Sequence, residues 1–357
     1  YGGKAISIHW MRKNWREPFV VLAGLRWMFL ILGTMIGAGY ASGRELWQFF
    51  GQDSSLAILL FTILFIFSTY WIMRISYERK TVHYLPVLSA VLGERLAAVY
   101  DFLLFSSLFT TTAVMLSGGG ATLEILHVPY WYGVAFIGVL LIVVFIRGVK
   151  SMVTINMFIV PVLILVLLLI LLLSSHGMKY SWVLPWDGPA NWPRALMFTA
   201  LNVISLVAVV GAIGHEILSK GEIWLASVGS GLILGGISFF YNQSLVQVTK
   251  DLLIYEIPLY ALIKSFPYFF NIIVSAVLWF AIFTTASTGL LGLVTRVGKY
   301  IKKPAWVLTL IFLVLMFPLT LVGFSTLIQV LYPLYALCNL YFLAALLIYP
   351  INERGRK

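Results

Sequence analysis

Apolar runs of about 20 residues, long enough to cross the hydrocarbon core of a bilayer, recur along the whole 357-residue chain. At membrane depth the backbone has no water to bond, so such runs fold as helices that satisfy their own amides and carbonyls. With 61% hydrophobic and only 10% charged residues, an ordinary soluble globule is excluded. The expectation is an all-α polytopic membrane protein built as one membrane domain.

The runs predict ten spans, at 22–50, 54–76, 95–126, 129–147, 151–174, 195–217, 222–248, 268–298, 304–323 and 325–349. Charge sets their direction. With the N-terminus placed in the cytoplasm, only Arg44, Lys179, Arg194, Lys250 and Lys264 of the 24 Lys and Arg fall outside. That asymmetry predicts that both termini face the cytoplasm. It also accounts for the net charge of +11 without nucleic acid, because the basic residues are dispersed rather than gathered on one face. The lone Cys338 offers no disulfide within the chain. Tyr1-Gly2-Gly3 is set aside, and no cleavable signal segment is expected.

Ten spans divide five and five about the Trp- and Pro-rich connection 175–194. The expected organisation is a cytoplasmic segment 1–21, a first repeat 22–174, the outer connection, a second repeat 195–350 and a tail 351–357. Five crossings invert the second repeat relative to the first, so spans one and six should correspond.

Span one is broken at its centre by Gly33-Thr34-Met35-Ile36-Gly37-Ala38-Gly39-Tyr40-Ala41-Ser42-Gly43. Each glycine costs a helix roughly 1 kcal/mol relative to alanine. Backbone groups freed in a membrane must find partners, and in transporters they line a midplane cavity. Span six carries Asn202, Ser205, Gly211 and Gly214, a weaker mark of interruption that close packing through small residues would also explain. In span eight Ala281, Thr284 and Thr285 follow i, i+3, i+4 spacing, which puts a carbonyl and two hydroxyls on one face. That suits an oxygen-only cation site; otherwise the hydroxyls bond back to the preceding turn.

The whole core, 22–350, resembles the amino acid/polyamine/organocation superfamily with the LeuT-type five-plus-five fold and discontinuous helices 1 and 6. The Gly33–Gly43 motif followed by Arg44-Glu45 and Phe49-Phe50 is similar to bacterial YkvI-type permeases assigned to amino acids. The resemblance implies a bacterial inner (plasma) membrane protein with a sodium (Na+) site made by the carbonyls of Gly33, Ile36 and Ala281 with the hydroxyls of Thr284 and Thr285. It implies that amides near Gly37, Ala38 and Gly39 meet a substrate carboxylate, with side-chain contacts from Thr34 and Tyr40. Where sodium-coupled relatives often place a tyrosine in span three, this chain has Ser106, Ser107, Thr110, Thr111 and Thr112. Ser107 and Thr110, with Asn202 and Ser205, complete the candidate substrate contacts. The span-five lysine of some sodium-independent relatives is missing, which favours sodium, and the outer-gate arginine is loosely matched by Arg44.

Few ionisable residues enter the spans. Asp101 in span three needs a partner, for which Arg26 is a candidate, and Glu45 could pair with Arg44 or another outer-half group. No metalloprotease, catalytic-triad or phosphate-loop pattern is recognisable, so no enzyme is expected. The leading expectation is a sodium-coupled symporter for a small amino acid or related carboxylated zwitterion, with a small-molecule substrate and the lipid bilayer as its only partners. The alternatives are a non-transporting ligand sensor, a proton-coupled permease and a passive channel.

Overall fold

The computed structural model describes residues 18–52, 54–124, 127–147, 149–174, 192–253, 257–264, 266–322 and 324–354. Most of the expected connection 175–194 and of the N-terminal segment 1–21, and the last three residues of the tail, therefore lie outside the described residues.

Among the described residues all regular structure is helical. The order is α1 (Pro18–Met35), α2 (Ala38–Ala41), α3 (Arg44–Phe49), α4 (Ser55–Glu78), α5 (Leu85–Glu124), α6 (Tyr130–Ile146), α7 (Val149–Ser174) and α8 (Trp192–Ile213). Then follow α9 (Lys220–Gln247), α10 (Pro258–Leu262), α11 (Phe269–Gly298), α12 (Ala305–Met316) and α13 (Phe324–Arg354). Seven stretches are long and apolar enough to cross a membrane, and three shorter apolar helices cover 20–35, 130–146 and 158–174. The protein is a multi-pass membrane protein.

The glycine-rich break behaves as its composition dictates. α1 stops at Met35, and the Gly37 amide turns back to the Met35 carbonyl at 2.9 Å. A single turn, α2, follows. Gly43 then takes φ 78°, a left-handed conformation that L side chains rarely adopt, and lets the chain re-enter helix as α3.

The expected interruption of span six is corrected. α8 runs unbroken from Trp192 to Ile213 and ends in a 3₁₀ turn, Gly214–Glu216. Its polar residues bond within the helix: Thr199 donates to the Ala195 carbonyl at 2.7 Å and the Asn202 amide to the Phe198 carbonyl at 2.8 Å. Its glycines admit the chain between α4 and α5. A Cβ on Gly211 would lie 2.6 Å from the Tyr84 Cα, and one on Gly214 2.5 Å from the Ser76 carbonyl oxygen. Small residues here serve close packing, not unwinding.

α8 is the central helix, with 78% of its apolar window buried inside the protein against 33% for the last two spans. It packs against α4, α13 and α11, while α11 lies along α5 and α9 against α1 and α4. α5 begins earlier than expected, because Gly93 at φ 77° joins a first helical stretch to the main span.

Ion pairs brace one end of the bundle, and they differ from the expected one. Asp101 takes two bonds from Arg296 of α11, with Nε to Oδ1 at 2.8 Å, whereas Arg26 lies 3.6 Å from Glu216. Glu222 is buried at the start of α9, where it accepts the indole N–H of Trp27 at 2.9 Å. His83, in the turn before α5, is held below the ordinary histidine range, first by burial and then by the positive charges of Lys299 and Arg296.

Candidate functional site

At the break after α1 the structure encloses a cavity of about 60 Å³. Its wall draws on most of the bundle. Thr34, Met35 and Gly37 come from the broken span and Glu45 from α3; α5 adds Leu108, Thr111 and Met115, and α8 adds Leu201, Asn202, Ser205 and Val209. Thr285, Thr288 and Gly289 of α11 and Tyr332 of α13 close it. A volume of this size holds a few water molecules or a compact solute.

Thr34, Gly37, Asn202, Ser205 and Thr285, all expected at the site, are brought together on this wall. Other candidates stand apart. The Tyr40 hydroxyl is turned to α9, 3.0 Å from the Leu234 carbonyl and 2.8 Å from the Ser238 hydroxyl. Tyr40→Phe is therefore expected to cost about 1–2 kcal/mol of fold stability by removing the buried bonds to Leu234 and Ser238, read as a lower unfolding midpoint in detergent. Ser107 is buried off the wall, and Thr110 faces the Tyr335 hydroxyl at 2.8 Å. Their neighbour Thr111 takes the cavity position instead.

The candidate cation residues lie where α11 meets the end of α1. The Thr285 hydroxyl donates to the Gly33 carbonyl at 3.4 Å, and the Thr284 hydroxyl to the Ala281 carbonyl at 3.0 Å. Thr284 thus bonds back to the preceding turn of α11, while Thr285 reaches across to the end of α1. Thr284 and Ile36 are fully buried behind the cavity wall. Gly37 is needed for the approach: a Cβ there would lie 2.8 Å from the Thr285 hydroxyl oxygen.

The outer part of the broken span is weaker as an anion end than a long half-helix would be. α2 has four residues and α3 six, and a dipole grows only with aligned peptides. The Gly37 amide is already engaged by Met35. Gly39 instead backs onto Glu45, whose carboxyl fills the space that a Cβ on Gly39 would take.

Glu45 was legible in the sequence only as a possible partner of Arg44 or of another outer-half group. Here its carboxyl is buried and lines the cavity, while Arg44 lines a separate cavity of about 510 Å³ with Trp47, Gln48 and Gln329. Consecutive residues on a helix point about 100° apart, which separates the two charges. Thr288 and Tyr332 were also missed, since no motif marks them.

This architecture is the LeuT-type transporter fold. The manganese transporter of Eremococcus coleocola superposes with a TM-score of 0.64 at 15% identity, over 92% of this chain and 79% of that one. A Na+-coupled sialic acid symporter gives 0.62 at 11% identity, over 95% of this chain and 78% of its own. The chain belongs to the family of the Bacillus subtilis protein YyaD, with which it is 47% identical over 334 residues, 94% of this chain and 99% of that protein. The Bacillus subtilis membrane protein YkvI is a more distant relative, 26% identical over 330 residues. No family model matches the chain.

Proposed function

We propose that the protein is a secondary transporter that carries a small amino acid or related carboxylated zwitterion into the bacterial cytoplasm, coupled to sodium, by alternating access to the cavity at the break of α1. The observation that carries this reading is the meeting of α1, α8 and α11 around one buried cavity at interrupted backbone, the usual place of substrate in such bundles. Ten crossings in a five-plus-five arrangement, with both termini cytoplasmic, fit the lysine and arginine distribution.

The neighbours in fold include a manganese transporter and a Na+-coupled symporter of an organic acid, and the lining here suits the second kind of cargo. Among the described residues no three His, Cys, Asp or Glu side chains gather as a metal site. Oxygens of Gly33, Ile36, Ala281, Thr284 and Thr285 suit a monovalent hard cation instead. The solved structures that share this fold are transporters rather than enzymes.

Uptake of labelled glycine or L-alanine into proteoliposomes, driven by an inward sodium gradient and absent with potassium alone, is the expected result; uptake indifferent to sodium removes the coupling. Thr284→Val and Thr285→Val keep shape and lose one oxygen each. Both are expected to weaken the apparent sodium affinity at least about tenfold, measured as the sodium concentration that half-saturates thermal stabilisation. A sodium response unchanged in both variants would make them packing residues.

A further inference from the structure

Glu45 is a carboxyl in a membrane cavity with no lysine, arginine or histidine on the same wall. It is only 6% exposed. The ion pairs found among the described residues, Arg26–Glu216 with His215 beside it, Arg74–Glu78, Lys264–Asp251 and Arg296–Asp101, all lie elsewhere. Acidic groups at such depth are costly unless a cation answers them, and they mark substrate or ion positions.

The polar groups on the wall, set among Met35, Leu108, Met115, Leu201 and Val209, mostly add acceptors to that carboxyl. Thr34 donates its hydroxyl proton to the Leu30 carbonyl at 2.8 Å, Thr111 to Ser107 at 2.7 Å and Thr288 to Thr285 at 2.9 Å. Asn202 and Thr285 likewise spend a donor on the Phe198 and Gly33 carbonyls. A hydroxyl that has given its proton away offers only lone pairs to what enters, and the Asn202 amide oxygen is an acceptor too. Donors remain at Tyr332 and at the second N–H of Asn202, but most polar groups of the wall offer acceptors around one carboxyl, a complement to a group rich in N–H donors and carrying positive charge.

We propose that Glu45 is the counter-ion for the substrate's primary ammonium group and sets the transporter's requirement for one. This rests on the reading of the cavity as the transport site for a small amino acid. The ammonium points its three donors at Glu45 and the hydroxyl lone pairs around it. The substrate carboxylate, with no basic side chain on this wall, is answered by sodium at the α1–α11 contact.

The test compares L-alanine with isobutyrate, in which a methyl replaces the ammonium at the same size and with the same carboxylate. Each is titrated at saturating sodium into the purified protein, and binding is read by thermal stabilisation. L-Alanine is expected to stabilise the wild type and isobutyrate is not. Glu45→Gln is expected to bind L-alanine about tenfold to a hundredfold more weakly, the range for losing a charged hydrogen bond, with half-saturating sodium unchanged. Glu45→Asp is expected to recover part of the affinity. Equal binding of isobutyrate and L-alanine to the wild type overturns the proposal, and this arm stands even if the variants do not fold. Wild-type L-alanine affinity in Glu45→Gln, or a loss confined to the sodium response, also overturns it and leaves the transport cavity in place. Should neither glycine nor L-alanine stabilise the wild type, the amino-acid reading and this proposal fall together.

Discussion

Asp101→Asn is expected to lower the stability of the folded protein by about 3 kcal/mol, seen as a large fall in the unfolding midpoint followed by tryptophan fluorescence. Arg296 is 8% exposed, and Asp101 answers it with two parallel hydrogen bonds, the fork-to-fork geometry that suits guanidinium and carboxylate. Removing one partner of a buried pair leaves an uncompensated charge, which costs about 3–5 kcal/mol. The Asp101 side chain keeps 22% of its exposure, which places the effect at the lower end. The pair ties α5 to α11, helices that each contribute cavity residues, so its loss loosens the frame on which the site is built. Cation–π contact with the Tyr300 ring, 5.0 Å away, does not replace a carboxylate. The neutral double variant Asp101→Asn/Arg296→Gln is expected to regain part of the loss, because it removes the stranded charge as well as the bond. A single variant as stable as the wild type would place the pair among solvent-screened surface bridges.

Much of the frame was legible because the bilayer leaves so few choices. Apolar length selects helices, and glycine density marks where a helix stops, so the end of α1 and the turn at Gly43 follow from the residues between 33 and 43. The same kind of signal misled in α8. Gly211 and Gly214 are as small as the glycines of span one, but they stand near the helix end and receive the Tyr84 and Ser76 backbone. Composition cannot tell a glycine that frees its own backbone from one that admits a neighbour's.

Side-chain direction was the harder part. Thr110, Thr111 and Thr112 are equivalent by type, yet each turn of 100° gives them a different neighbour: Tyr335 for the first, the cavity for the second and Gly289 of α11 for the third. The α5 phase is set by packing against α11 and α13, information that no window of sequence contains. The partner of Asp101 failed for a related reason. Arg26 and Arg296 are both basic residues near the same end of the bundle, and only the assembled helices bring one of them across 195 positions of chain. Glu45 was hidden by its place beside Arg44, where a charged pair reads as a solvated edge until α8 and α13 are seen to close over one member.

Gly39→Ala is expected to weaken L-alanine binding about as much as Glu45→Gln does, tenfold or more, while leaving fold stability within about 1 kcal/mol of the wild type. A Cβ at position 39 would overlap the Glu45 carboxyl, lying 2.6 Å from its Cδ and 2.7 Å from its Cγ. All three atoms it meets belong to one flexible side chain, so the carboxyl swings out of its seat and the backbone need not shift. Gly214 shows the contrary case, since there the nearest groups include the Ser76 carbonyl, which cannot move without its helix. Alanine is also the better helix former in α2, which offsets part of any strain. The decisive comparison is a double-mutant cycle. If the added methyl acts only by unseating Glu45, then Gly39→Ala/Glu45→Gln binds L-alanine no more weakly than Glu45→Gln alone, because the charge it displaces is already gone. Additive losses would mean that Gly39 serves the cavity through its own backbone, with the amides of the broken span meeting the substrate directly.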